Sequence, residues 1–152
     1  MKTFELTIFI NSTRDVVYDH LSEPLNMIGL QPLLTEINVL KEAKDENGVV
    51  LRPFYMVETF KWMGLPVFRN KIYSEICLTK PRDELEIRVH SRLKTEIIFK
   101  YIFIQFNDLR TQVTQTVQLV RVNKLLEPIM VDRAKYAQRA LLSNLKVRLE
   151  KH

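Results

Sequence analysis

The sequence predicts an α+β fold: a curved seven-stranded antiparallel sheet wrapped around one long C-terminal helix, with two short helices after the first strand. Three observations predict it. Leu126, Met130, Ala134, Ala137, Leu141, Leu145 and Leu149 recur at three- and four-residue steps within residues 123–151, the only long helical pattern in the chain. Residues 36–122 fall into alternating segments separated by turn signals, the pattern of hairpin-linked strands. The remaining helical signals are short and sit between the first strand and this run. A sheet of seven strands curls as it twists, so the apolar stripe of the helix buries itself on the concave side.

Residues 3–10, TFELTIFI, alternate with Phe4, Leu6, Ile8 and Ile10 on one face. Asn11-Ser12-Thr13 offers an N-cap for a helix over 14–21, with Val16, Val17 and Leu21 available for burial. A second helical turn over 25–28 follows Pro24 and ends at Gly29. A strand over 36–44 leads into Asp45-Glu46-Asn47-Gly48, a strong hairpin signal. The strand over 49–63 puts Phe54, Met56, Glu58, Phe60 and Trp62 on one face, and Gly64-Leu65-Pro66 breaks it. Its return over 67–78 carries Phe68, Asn70, Ile72, Ser74, Ile76 and Leu78 inward, against a solvated face of Arg69, Lys71, Tyr73 and Glu75. After the turn at Lys80-Pro81-Arg82-Asp83, Leu85, Ile87, Val89 and Leu93 alternate with Glu86, Arg88, His90 and Arg92. The strand over 95–106 is apolar on both faces, Ile97, Phe99, Tyr101 and Phe103 against Ile98, Ile102 and Ile104. Asn107-Asp108 turns it into a last strand over 111–122, with Val113, Gln115, Val117 and Leu119 on one face.

A length of 152 residues suits one domain with a real core, and 46% hydrophobic with 27% charged residues is ordinary for a soluble protein. Cys77 is the only cysteine, so no intramolecular disulfide forms. The N-terminal segment lacks the features of a secretory signal, and no apolar run approaches the roughly 18 residues of a membrane span. A cytoplasmic location is expected. The net charge of +5 is concentrated: residues 121–152 hold Arg121, Lys124, Arg133, Lys135, Arg139, Lys146, Arg148 and Lys151 against Glu127, Asp132 and Glu150, and the remaining charges balance. This reads as the solvated face of an amphipathic helix, with weak contact to an anionic membrane surface as the alternative. No nucleic acid partner is expected, and a homodimer is left open. His20, His90 and His152 have no metal-ligand spacing and Cys77 stands alone, so no metal is expected. Three glycines form no phosphate loop, and no cofactor is expected.

The order of elements resembles the helix-grip fold of the Bet v 1-like superfamily, also called START-like or SRPBCC, over the whole chain. The N-terminal strand followed by Ser12-Thr13-Arg14-Asp15-Val16-Val17-Tyr18-Asp19-His20-Leu21 is similar to the family's capped first helix with an aromatic near its end. Residues 26–34, including Gly29-Leu30-Gln31-Pro32, sit where that family places its second short helix, and the long helix closing over the sheet completes the likeness. Within the superfamily the chain most resembles the small bacterial polyketide cyclase/dehydrase-like proteins. The resemblance implies a single START-like ligand-binding domain over residues 1–152, with an apolar cavity between sheet and helix for lipids, sterols or polyketides. The superfamily holds carriers, receptors and a minority of enzymes.

Small side chains at Ala134 and Ala137 mean either close approach to the sheet or a space. If a space, Phe54, Met56, Phe60, Ile72, Phe99, Tyr101 and Phe103 wall it, under Met130, Ala134, Ala137 and Leu141. Met27, Met56, Met63 and Met130 are either adaptable wall or ordinary core. Glu58 shares the inward parity, and its burial would raise its pKa as an anchor or general base requires. A bulge turning it outward, or a pair with Arg52, is the alternative. Asn70, Ser74, Tyr101 and Gln115 also fall on inward faces, able to meet a ligand or a neighbour. Cys77 reads as structural. Two functions follow: binding or transport of a hydrophobic small molecule, with Glu58 and Tyr101 orienting it, or a polyketide cyclase/dehydratase with Glu58 as base and Tyr101 as electrophilic stabiliser. Entry would go through movement of residues 24–32 or of the hairpin loops.

Overall fold

The computed structural model describes residues 2–32, 34–91 and 95–151, and within them the side chains at 60–62, 66–68 and 91 lie outside the description. The chain runs β1 (Lys2–Ile10), α1 (Arg14–Leu21), a 3-10 turn (Pro24–Met27), β2 (Leu34–Val39), β3 (Ala43–Lys44), β4 (Val50–Trp62), β5 (Leu65–Lys80), β6 (Glu84–Ser91), β7 (Thr95–Asn107), β8 (Arg110–Arg121) and α2 (Glu127–Glu150). Seven strands form one antiparallel sheet in the order β1-β8-β7-β6-β5-β4-β2, and β3 is an eighth, two-residue strand paired with β4. The fold is the predicted α+β architecture. Leu93, expected on the strand that includes β6, falls outside the described residues.

The expected single strand over 36–44 is instead split into β2 and β3, and Pro53 supplies the reason. Val39 pairs with Phe54 and Ala43 with Leu51, so Pro53 faces the gap between them. A proline has no N–H to give an edge strand there, and only its carbonyl is used, by Leu40 N at 2.9 Å. The hairpins follow their turn residues. Asp45 Oδ1 accepts from the amides of Asn47 and Val49, and Met63-Gly64 takes φ of 52° and 82°, both positive as a type I′ turn requires. This turn leaves Met63 exposed, which removes it from any cavity wall.

Thr13 caps α1 by accepting from Val16 N at 3.4 Å, and the helix buries Val17, Tyr18 and Leu21. Val16, expected to bury, is exposed. Helix α2 begins at Glu127, four residues later than the pattern suggests. Pro128 sits in its first turn, where its missing N–H costs nothing, while Asn123 Oδ1 caps Leu125 N in the turn before. The second half of α2 supplies the buried residues Leu141, Leu142, Leu145 and Leu149 beyond Gln138, while Met130 and Val131 of the first half pack partly buried against the core; Leu126, expected on the apolar stripe, is exposed.

The basic face of α2 is partly structural, contrary to its reading as a solvated surface. Arg148 donates to the carbonyls of Asn26 at 2.6 Å and Ile28 at 2.7 Å, and lies 3.1 Å from His20 Nε2. Burial and the Arg148 charge both push the His20 pKa down, so the imidazole serves as a neutral acceptor. Asn144 Nδ2 donates to Leu30 O at 2.8 Å, and Lys146 Nζ reaches Phe9 O at 2.9 Å. Gly29 has φ +88°, which favours glycine, and a Cβ there would meet Arg148 Nη2 at 2.7 Å, so the guanidinium would have to shift. Replacing Arg148 with Ala should lower the unfolding free energy by about 2–3 kcal/mol, the scale of charged hydrogen bonds left unmade. Arg148→Lys should recover only part of it, because an ammonium cannot fork to two carbonyls. Urea titration of the three proteins measures both.

Candidate functional site

The concave faces of β4–β7 and the first half of α2 enclose a cavity of about 780 Å³. The alternation of each strand decides what faces it: Phe54, Met56 and Glu58 from β4, Asn70 and Ile72 from β5, Ile87 and Val89 from β6. β7 adds Thr95, Ile97, Phe99 and Tyr101. Helix α2 roofs the space with Met130, Ala134, Ala137, Gln138 and Leu141, and the end of the 3-10 turn and the segment after it close one side with Met27, Gln31 and Pro32. Asp132, Arg133 and the 74% exposed Tyr136 line the cavity where it meets solvent.

Two polar groupings interrupt the apolar wall. The first joins β4, β5 and the 31–32 segment. Glu58 and Asn70 are direct cross-strand partners, and Gln31 Nε2 donates to Glu58 Oε2 at 3.3 Å. Burial alone pushes the Glu58 carboxyl above its ordinary 4.5. Arg52, the expected alternative partner, is taken by Glu42 at 2.9 Å and by the carbonyl of Ser22 at 2.8 Å. No bulge intervenes between Phe54 and Glu58 in the β4–β5 register, so the inward parity of Glu58 is kept. Asn70 Oδ1 is buried without a hydrogen-bond partner.

The second grouping is a chain of three side chains. Gln115 Nε2 donates to the Tyr101 hydroxyl at 2.8 Å and to Gln138 Oε1 at 2.7 Å, bridging β7, β8 and α2. Complete burial pushes the Tyr101 phenol far above its ordinary range, so it stays protonated. The two groupings are well separated. Ile97, Val89, Ser74 and Phe54 form one cross-strand row. Tyr101 lies four residues beyond that row in one direction and Glu58 four in the other, eight residue steps or about 26 Å of strand path at 3.3 Å per residue on a twisted sheet.

Of the expected wall residues, Phe54, Met56, Ile72, Phe99 and Tyr101 line the cavity, as do Glu58, Asn70, Met130, Ala134, Ala137 and Leu141. The Phe60 side chain lies outside the described residues. Phe103 and Gln115 share the inward face but sit behind the wall. Phe103 is filled over by α1, edge to face with Tyr18 at 5.8 Å, and stacks on Tyr101 at 6.4 Å; Gln115 backs Tyr101. Ser74 is also fully buried away from the cavity. Gln31, Thr95 and Gln138 are lining residues that the sequence reading did not single out. Gln138 had a signal, being one position from Ala137 on the roofing helix; the irregular segment at Gln31 has none. Cys77 is buried on the outer face of the sheet, where burial pushes its thiol up to about 12, consistent with an inert packing role.

Replacing Gln115 with Leu should cost about 1–3 kcal/mol, since Tyr101 and Gln138 both lose their partner. A double-mutant cycle with Tyr101→Phe should then show a smaller cost for the second change than in the parent protein. Glu58 gives a pH signature. The folded protein holds the Glu58 proton more tightly than the unfolded chain, so unfolding free energy falls as pH rises from about 4.5 through the folded-state value. Glu58→Gln removes that slope, and its stability relative to the parent should climb across this window in urea titrations at stepped pH.

No family model and no curated protein matches the chain. Solved structures do. The Zhui aromatase/cyclase from Streptomyces sp. R1128 superposes with a TM-score of 0.70 at 17% identity, over 97% of this chain and 94% of its own. A conserved protein from Geobacillus kaustophilus gives 0.73 at 13% identity, over 99% and 96%. A START superfamily protein from Mycobacterium smegmatis gives 0.67 at 12%, over 98% and 97%. Such identities speak to architecture and leave chemistry to the site. The chain has the START-like helix-grip fold, the one on which this aromatase/cyclase is also built.

Proposed function

We propose that this chain acts as one START-like ligand-binding domain, holding a hydrophobic small molecule of lipid-like or polyketide-like character between sheet and helix. The observation that carries the reading is the roof. Ala134 and Ala137 line a cavity of about 780 Å³ without being buried against the strands below, so their small side chains create space rather than close approach. Ligand pockets run to about 300–1,000 Å³, mostly apolar with a few placed polar groups, and this one fits on both counts. The likeness to an aromatase/cyclase and to a START superfamily protein supports the same class of ligand. Affinity would come from apolar burial, on the order of 25 cal/mol per Å².

Entry through movement of residues 24–32 is disfavoured by the hydrogen bonds that Arg148 and Asn144 make to that segment. The exposed margin at Asp132, Arg133 and Tyr136 supports entry beside the first half of α2. A cyclase with Glu58 as base and Tyr101 as stabiliser would need both at one reacting carbonyl. Their separation in the register favours binding over that pairing.

Native mass spectrometry of protein from its own host, followed by organic extraction, should release a stoichiometric hydrophobic molecule. Ala137→Phe, which places a ring in the cavity, should weaken binding of an apolar fluorescent dye by about tenfold or more, equivalent to 1.4 kcal/mol, while the unfolding midpoint holds. Dye binding unchanged in that variant would count against the cavity as the site.

A further inference from the structure

We propose that the end of the cavity at Glu58 and Asn70 receives a hydrogen-bond-donating head group, a hydroxyl or a protonated amine, on an otherwise apolar ligand, and disfavours a carboxylate. The inference rests on the hydrophobic-binding reading and adds which head group the cavity takes. Its basis is an imbalance of acceptors. Glu58 and Asn70 face each other across β4 and β5, with Cβ atoms of such pairs about 5 Å apart. Both line the cavity, and Asn70 Oδ1 is buried with no donor. An unmet buried acceptor costs free energy that a ligand donor recovers.

Among the described residues, the neighbours of Glu58 supply little to meet this. Leu34 pairs with it from β2, and Gln31 reaches it through one long contact of 3.3 Å. From α2, Asp132 and Arg133 line the same cavity, but both are exposed and of opposite charge. Among the described residues desolvation is the one cause acting on the Glu58 pKa, and none of their cations lies at close range. A ligand ammonium would provide the missing counter-charge, and a hydroxyl would provide a neutral donor that also accepts. A ligand carboxylate would instead sit beside Glu58, and two carboxyl groups at one site cannot both ionise without penalty.

The test uses three probes with one chain length: dodecanol, dodecylamine and dodecanoate. Each displaces an apolar fluorescent dye from the intact protein at pH 7, below its micelle concentration. Dodecanol or dodecylamine should bind about tenfold or more tightly than dodecanoate, the scale of one charge-assisted hydrogen bond. Which of the two leads identifies the donor as neutral or cationic, and either result supports the proposal. Glu58→Gln should bring dodecanoate to within a few-fold of the others, and Asn70→Leu should narrow the gap with Glu58 intact. Equal affinities for all three in the parent protein, or preference for dodecanoate, would overturn the proposal and leave the hydrophobic binder standing. Dye displaced by none of them would sink the cavity reading and this proposal together.

Discussion

Arg148 and Asn144 carry three backbone carbonyls between them, those of Asn26, Ile28 and Leu30, and this clamp fastens the irregular 24–32 segment to the second half of α2. Without it the segment would bring unpaired carbonyls against a helix, and such groups must find partners. The clamp also fixes where the helix lies. With Leu141, Leu142, Leu145 and Leu149 seated in the core and Lys146 tied to Phe9, the second half of α2 cannot slide or roll. Its first half is then carried over the sheet largely by helix continuity, with Met130 and Val131 packing only partly buried against the core.

That division explains why a cavity can exist beneath it. A helix held along its whole length by large side chains would settle onto the strands and fill the space. Here the fully buried packing stops near Gln138, which bonds Gln115 and so connects to Tyr101, and this polar chain marks the floor. Beyond it come Ala137, Ala134 and Met130, none buried. Leu125 and Ile129 are exposed at the helix start, beside the partly buried Met130 and Val131.

Much of this was legible in the sequence, within a definite physical limit. Strand alternation has period two, so parity alone places Phe54, Met56, Glu58, Ile72, Phe99 and Tyr101 on the concave face. Parity gives a face, however, and not a depth. Phe103 and Gln115 share that face with Tyr101, and only the position of α1 and of the seated half of α2 determines that they lie behind the wall. Helical period has the same limit: it puts Leu126 and Leu141 on one stripe, while the sheet reaches only the second. By sequence Arg148 is one of several surface charges, because its partners are carbonyls, which leave no trace in side-chain sequence. Gln31 came from a segment with no period to read.

The separation of the two polar groupings bears most directly on chemistry. Tyr101 is buried, protonated and held by Gln115, so it acts as a fixed neutral group with its proton retained. Glu58 is less constrained, with one long hydrogen bond and an unpaired Asn70 oxygen across the strand. Concerted acid–base work on one atom needs its groups within hydrogen-bond reach of that atom, and four residue steps of strand on either side of a common row separate the backbones of these two. A single ligand touching both would have to run the length of the strands, as an extended apolar chain or linear polycycle does. Selectivity would then be set at each end separately: by the shape of an aromatic, hydrogen-bonded floor at Tyr101, and by charge and donor count at Glu58. A fold with one deep cavity can thereby choose its ligand without any convergent catalytic centre.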